Sequence, residues 1–203
     1  MTTNLISQAA SMRTSTLPND LLPTFNSATV LIFLPLVSRY LYPFLRRHGI
    51  STHPLRRIAF GFSLEALAMA YAAGIQGWIY SRGPCYSAPL TCPASQGGTI
   101  PNDVFVGWQL PVYILEGMAE IFASPAGYEF AFTKAPKSLK SIIQAMYGLT
   151  AAAGSVISIA LTPLNENPTI LGVYAGISGA MFLSGVASYL FYVQDSRTAR
   201  RGS

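Results

Sequence analysis

The chain has 203 residues, 51% of them hydrophobic and only 10% charged, whereas soluble domains carry about 25% charged residues. That balance, with a mean hydropathy of +0.38, excludes an ordinary soluble domain and reads as an integral membrane protein. The net charge of +5 sits in short clusters between apolar runs rather than on a basic face interleaved with aromatics, which argues against a nucleic-acid partner.

Residues 1–16 are polar, with Arg13 as their single basic residue and no apolar core. No signal peptide is expected there, so the first span is read as the insertion signal. Five apolar segments follow, at 22–45, 58–80, 104–132, 139–162 and 170–193, each near the ~20 residues that a bilayer requires. Runs of this length are not strands, and lipid forces backbone groups to pair within the segment. The expected fold class is therefore all-α integral membrane, with five transmembrane helices.

Loop charges set the expected orientation. Arg46, Arg47, Arg56 and Arg57 flank the first loop, Lys134, Lys137 and Lys140 fill the third, and Arg197, Arg200 and Arg201 lie in the tail. The second loop, 81–103, has only Arg82, and the fourth, Pro163 to Pro168, has no Lys or Arg. The positive-inside rule puts the first and third loops and the C-terminus in the cytoplasm, and the N-terminus outside.

The first span carries Asn26 near its outer end and Pro35 mid-span, where a lost backbone bond predicts a kink. Arg39 is expected to snorkel to the surface. In the second span, Glu65 reads as a snorkelling carboxylate or a partner of Arg56 or Arg57, and Gln76 and Trp78 as interfacial anchors. Cys85 and Cys92 lie in a loop rich in Pro and Gly. An oxidising outer face allows them to bridge; two thiols with no nearby His are too few for a zinc site, so a disulfide is favoured and no metal is expected.

In the third span, Gln109, Tyr113, Glu116 and Glu120 fall on one face at about 100° per residue, with Ser124 one turn further. A carboxylate at mid-membrane costs about 2.5–3.5 kcal/mol on insertion scales, so this face should line a bundle interior or a wet cavity. Glu129 lies about half a circumference from Glu120 and is expected to pair with Lys134. The fourth span, rich in Ala, Gly and Ser, holds Tyr147. The fifth has Gly172-x-x-x-Gly176, Gly179 and Gly185, a pattern for close helix contact. His48 and His53 share one loop, and neither a nucleophile elbow nor a nucleotide loop appears, so no enzyme is expected.

Glu120-Ile-Phe-Ala-Ser124-Pro125-x-Gly127, followed by Thr133-Lys134-Ala135-Pro136-Lys137-Ser138, resembles helix ten and the next loop of the proton-dependent oligopeptide transporters, a major facilitator family, in its fungal branch. Leu17-Pro18-Asn19-Asp20, Asn26, Leu41-Tyr42-Pro43, Arg57-Ile-Ala-Phe-Gly61-Phe62 and Gln76 fit in order, and the resemblance runs to about Val193. It matches the second half of such a transporter. Residues 1–21 then correspond to the end of helix seven (Asn4-Leu-Ile-Ser-Gln8) plus an outer loop, 22–193 to helices eight to twelve, and 194–203 to a cytoplasmic tail.

The resemblance implies that Glu120 holds the amino terminus of a peptide, that Asn26 and Ser124 lie near the pocket, and that Tyr147 occupies an aromatic pocket position. Glu116 has no such precedent and stays open between packing and substrate contact. Ser38 stands before Arg39 where many relatives have an acidic residue, so an ion pair at that gate is not expected. The implied function is the C-terminal half of a proton-coupled di/tripeptide symporter in the plasma membrane. A proton gradient drives it, without a cofactor. Its partners are small peptides, protons, the lipid bilayer and a missing N-terminal half of six or seven helices that carries the proton-coupling residues. Such a half is not expected to transport alone. The alternatives are a truncated, non-transporting membrane protein, or a family member that moves nitrate or another small solute.

Overall fold

A computed structural model describes residues 2–14, 21–164 and 166–201. The Leu17–Asp20 motif lies outside the described residues, as do the last two residues of the tail. The chain begins with helix α1 (Thr2–Ala10) and a two-residue strand β1 (Met12–Arg13). Helix α2 (Leu22–Leu36) continues through a π-helical turn at Val37–Leu41 into α3 (Tyr42–Arg47). There follow α4 (Pro54–Ser81), strand β2 (Asn102–Phe105), α5 (Leu110–Lys134), α6 (Lys140–Ala160) and α7 (Ile170–Arg201).

Among the described residues, four helices are long and apolar enough to cross a membrane: Leu22–Arg47, Pro54–Ser81, Lys140–Ala160 and Ile170–Arg197. Helix α5 matches them in length at 25 residues, but Glu116 and Glu120 lower its hydropathy. The expected set of five helices is present, with α5 as the polar one.

Proline places several helix boundaries. Pro23, Pro54 and Pro111 sit in the first turns of α2, α4 and α5, where a missing N–H costs nothing. His53 caps α4, its Nδ1 accepting from the Leu55 N–H at 3.4 Å. The irregularity expected at Pro35 appears one turn later. There the Tyr42 N–H donates to Val37 O, five residues back. Pro43, next in the chain, cannot donate to the carbonyl four residues before it, and the helix widens ahead of it.

The third span does not start at 104. Residues 102–105 form a strand that pairs in parallel with β1, Met12 opposite Asn102 and Arg13 opposite Phe105. Pro101 precedes it, and β-branched Val104 and Val106 are buried. The Asn102 side chain, fully buried, donates to Ile79 O (2.9 Å) and Tyr86 O (3.0 Å) and accepts from the Cys85 N–H (3.2 Å). The apolarity of this segment serves burial beneath a loop, not a membrane crossing. In that loop Cys85 is disulfide-bonded to Cys92.

The core lies around α4, which packs against α5 and α7, while α2 packs on the other side of α5. Leu5, Met69, Ile79, Val106, Tyr113 and Tyr174 are among its buried members. Three glycines mark where helices meet. A Cβ on Gly61 would lie 2.8 Å from Ala123 Cβ, one on Gly117 2.7 Å from Asn26 Oδ1, and one on Gly185 3.3 Å from Ala59 O. The first two contacts need the missing side chain, and at Gly185 a Cβ would be tight. By contrast Gly172, Gly176 and Gly179 have nothing within 4 Å, so the close packing expected of that motif is not made by the described residues. Helix α6 buries none of its residues.

The Arg-rich end of the bundle is tied by ion pairs. Arg57 Nη1 donates to Glu129 Oε2 at 2.6 Å, and its guanidinium lies 4.5 Å over the Tyr42 ring. Lys134 Nζ reaches Asp195 at 3.0 Å, and His53 Nε2 lies 3.6 Å from the same carboxylate. Glu129 therefore pairs with Arg57 and not with Lys134, because its turn of α5 faces the start of α4 while the end of α5 reaches α7. Arg57 is thereby occupied, and Glu65, eight residues or about 12 Å deeper along α4, does not take up the expected pairing.

Candidate functional site

Helices α2, α4, α5 and α7 line an open cavity of about 390 Å³, walled by Asn26, Phe62, Glu65, Glu116, Glu120 and Ser124 together with Gly61, Ala119, Ala123 and Met181. Glu116, Glu120 and Ser124 share a face of α5 at successive turns, as their spacing predicts. Asn26 reaches the cavity from α2 because Gly117 lets the two helices touch. Glu65 arrives by a similar route. Gly61 seats α4 against Ala119 and Ala123 of α5, and one turn further on the same face of α4 stands Glu65.

The wall is acidic. Among the described residues no Lys, Arg or His lines the cavity, and the ion pairs use other carboxylates. Glu116 Oε2 and Asn26 Oδ1 are buried atoms with no hydrogen-bond partner among the described residues. Glu120 is exposed. The described lining residues thus offer several acceptors and no cationic side chain.

The expected polar face continues into the turn before α5, Val106–Gln109, and does something else there. Gln109 is fully buried. Its Nε2 donates to Leu5 O at 2.7 Å and to Gln8 Oε1 at 3.0 Å. Gln8 Nε2 in turn donates to Ala72 O and Gln76 Oε1, both at 2.9 Å. Gln76 Nε2 and the Tyr80 hydroxyl both donate to Asn167 Oδ1, at 3.4 and 2.6 Å. Gln76 is therefore not an interfacial anchor but part of a buried glutamine cluster linking α1, α4 and the turn that leads into α5. Trp78, 37% exposed, packs edge-on against Trp108. Tyr113, expected on the cavity face, is fully buried in the core.

Of the residues singled out from the sequence, the cavity gathers Asn26, Glu116, Glu120 and Ser124, and leaves out Tyr147. The Tyr147 ring packs edge-on against Tyr128, centroids 4.5 Å apart, and its hydroxyl abuts Gly127. Glu65, Phe62 and Met181 line the cavity without having been singled out as site residues. A signal for Glu65 was present in Gly61, since a small residue one turn away marks the face that meets a neighbouring helix.

The chain is similar to fungal peptide transporters over nearly its whole length. It is 43% identical over 189 residues to the peptide transporter imqD of Aspergillus flavus, covering 93% of this chain and 47% of that protein. It is 42% identical to a probable peptide transporter of Schizosaccharomyces pombe (95% and 30% covered) and 40% identical to a peptide transporter of Saccharomyces cerevisiae (95% and 31%). The chain thus spans between about a third and half of the length of these relatives. A crystal structure of an auto-inhibited POT family peptide transporter superposes with a TM-score of 0.68 at 21% identity, over 93% of this chain and 36% of that one, which establishes the shared fold. With the POT family model matching residues 1–178, the chain belongs to the POT family.

Proposed function

We propose that the chain supplies one wall of the peptide site of a proton-coupled symporter. The observation that carries this reading is the cavity, where Glu120, Glu116, Glu65 and Asn26 present acceptors with no cation among the lining residues. A peptide brings the complementary groups: an ammonium and backbone N–H donors. Glu120 takes the ammonium, while Asn26 Oδ1 and the Ser124 hydroxyl lie within the same wall for the peptide backbone.

An exposed carboxylate in mid-span cannot face hydrocarbon, where it would cost several kcal/mol. Further helices therefore cover this wall, and the relatives, two to three times as long, have the residues to supply them. In this family of folds the substrate site lies at the interface of two bundles that rock against each other. The contacts at Gly61, Gly117 and Gly185 favour α2, α4, α5 and α7 moving as one body. Proton coupling fits the same wall, since carboxylates without a fixed cation can be neutralised by a proton or by an ammonium in turn. The Arg-rich end and the tail face the cytoplasm of a cell bounded by its plasma membrane, following the loop charges.

The test uses the assembled transporter that contains this chain. Glu120→Gln keeps size and hydrogen bonding but removes the charge. Loss of one partner of a buried charge pair costs about 2–5 kcal/mol, so the Kd for alanyl-alanine should rise more than tenfold. The Kd for its N-acetylated form should change far less, because that ligand carries no ammonium. An equal loss for both ligands would assign Glu120 to packing and remove the basis for this reading.

A further inference from the structure

The Arg-rich end of the first span carries a groove that the peptide site does not use. It has a volume of about 670 Å³ and runs along α2, the π-helical turn and α3 from Phe33 to Arg47, with Met118 contributed by α5. Its apolar members Phe33, Leu36, Tyr40 and Phe44 are each at least 37% exposed. Two guanidiniums, Arg39 and Arg47, line the same groove. Both are exposed, and among the described residues no Asp or Glu lines the groove or pairs with either arginine. An apolar groove with two unanswered cations toward one end fits an amphiphile with a negative head.

Depth and direction name the source. The span Leu22–Arg47 has 26 residues, about 39 Å at 1.5 Å per residue, enough for the hydrocarbon core and much of both headgroup layers. Arg47, its last residue, therefore stands at the headgroup level. Arg39 lies eight residues, about 12 Å, nearer the membrane centre. An arginine at that depth reaches toward the headgroups, and a phosphate between the two serves both. The loop charges put this end in the cytoplasm, on the leaflet where anionic lipids concentrate. On α5, Met118 lies about 160° round from both Glu116 and Glu120 at the helical period. The groove thus opens on the side of α5 turned from the wall that further helices cover.

We propose that this groove binds an anionic phospholipid of the cytoplasmic leaflet. Its phosphate sits between Arg39 and Arg47, and one acyl chain lies along Phe33, Leu36 and Met118. Tyr40 flanks the headgroup level, as tyrosines do at membrane interfaces. Arginine suits the task because its planar fork donates to two phosphate oxygens at once. The inference stands independently of the peptide site.

The test places the assembled transporter that contains this chain in nanodiscs of phosphatidylcholine alone or mixed with phosphatidylserine. Native mass spectrometry reads the lipid retained after detergent extraction, and the melting temperature is followed in parallel. Phosphatidylserine should be retained over phosphatidylcholine and should raise the melt. Arg39→Gln and Arg47→Gln should each lower the retained serine-to-choline lipid ratio about fivefold, the worth of one arginine at an anionic surface, and erase the rise in melting temperature. Arg46→Gln should leave the ratio near its unsubstituted value, because Arg46 lies outside the groove and its Nε reaches Thr52 of the following loop at 3.4 Å. An equal loss in all three variants would mean diffuse attraction to a basic surface and would overturn the proposal. Equal retention of the two lipids by the unsubstituted protein would overturn it as well. If Arg39→Gln lowers the melt equally in both bilayers with the ratio unchanged, Arg39 pairs with a carboxylate on a covering helix, and the groove is no lipid site.

Discussion

Two polar clusters are built in opposite ways: one joins Gln8 of α1, Gln76 of α4 and Gln109 of the turn before α5, the other Glu65 of α4 with Glu116 and Glu120 of α5. Toward the disulfide end, Gln8, Gln76 and Gln109 are each at most 1% exposed and donate to one another, to backbone carbonyls and to Asn167. Only Gln109 Oε1 among these three amides lacks a partner. Toward the other end, Glu65, Glu116 and Glu120 face a cavity that no Lys, Arg or His lines among the described residues. The amides supply both donors and acceptors, so they can satisfy each other and act as glue between helices. Ionised carboxylates offer acceptors only, so a group of them stays unsatisfied until a ligand or proton arrives. A polar residue in a membrane helix is thus structural or functional according to whether its neighbours complete it.

That contrast can be broken most forcefully at the contact that aims Glu65. Gly61→Leu places a large side chain where even a Cβ would lie 2.8 Å from Ala123 Cβ and 2.9 Å from Ala119 O. Overpacking of this kind costs about 1–3 kcal/mol or more. The melting temperature in detergent should fall, and peptide binding should be lost with it. Gly176→Ala meets nothing within 4 Å and should leave the melt unmoved; a comparable fall would mean that α7 has a covering partner at that position.

The next effect belongs to the glutamine cluster. Gln8→Leu leaves the Gln109 Nε2 and the Gln76 Oε1 each short of a partner, and stranded buried groups cost about 1–3 kcal/mol. The melt should fall while the relative affinities for different peptides hold. A change in peptide selectivity without loss of stability would show that the two clusters are coupled, not separate.

Glu116→Gln should give the smallest effect on stability and the opposite sign to Gln8→Leu. It removes one of three neighbouring carboxylates, so the ligand-free protein should melt at the same temperature or slightly higher. A fall of several degrees would mean that Glu116 has a fixed partner and belongs with the structural cluster.

Much of this was legible in one dimension. Bilayer thickness demands long apolar helices, so the spans follow from their lengths, and the helical period puts Glu116, Glu120 and Ser124 on one face whatever surrounds them. The Glu120–Gly127 and Thr133–Ser138 motifs carried the family. The identity of the partners was not legible there. Proximity in sequence favours the surface or its arginines for Glu65, and Lys134 for Glu129. In the structure the rotation of α4 against α5, set by Gly61 against Ala119 and Ala123, sends Arg57 to Glu129 and Glu65 to the cavity. Gln76 read as an anchor because nothing in its own segment reveals that Gln8 and Gln109 converge on it. Residues 104–105 read as the start of a membrane helix since burial under a loop and burial in lipid select the same apolar side chains. Helix existence and helix period are local properties of the chain. Which face meets which neighbour depends on contacts between residues far apart in sequence, and only the packed bundle decides them.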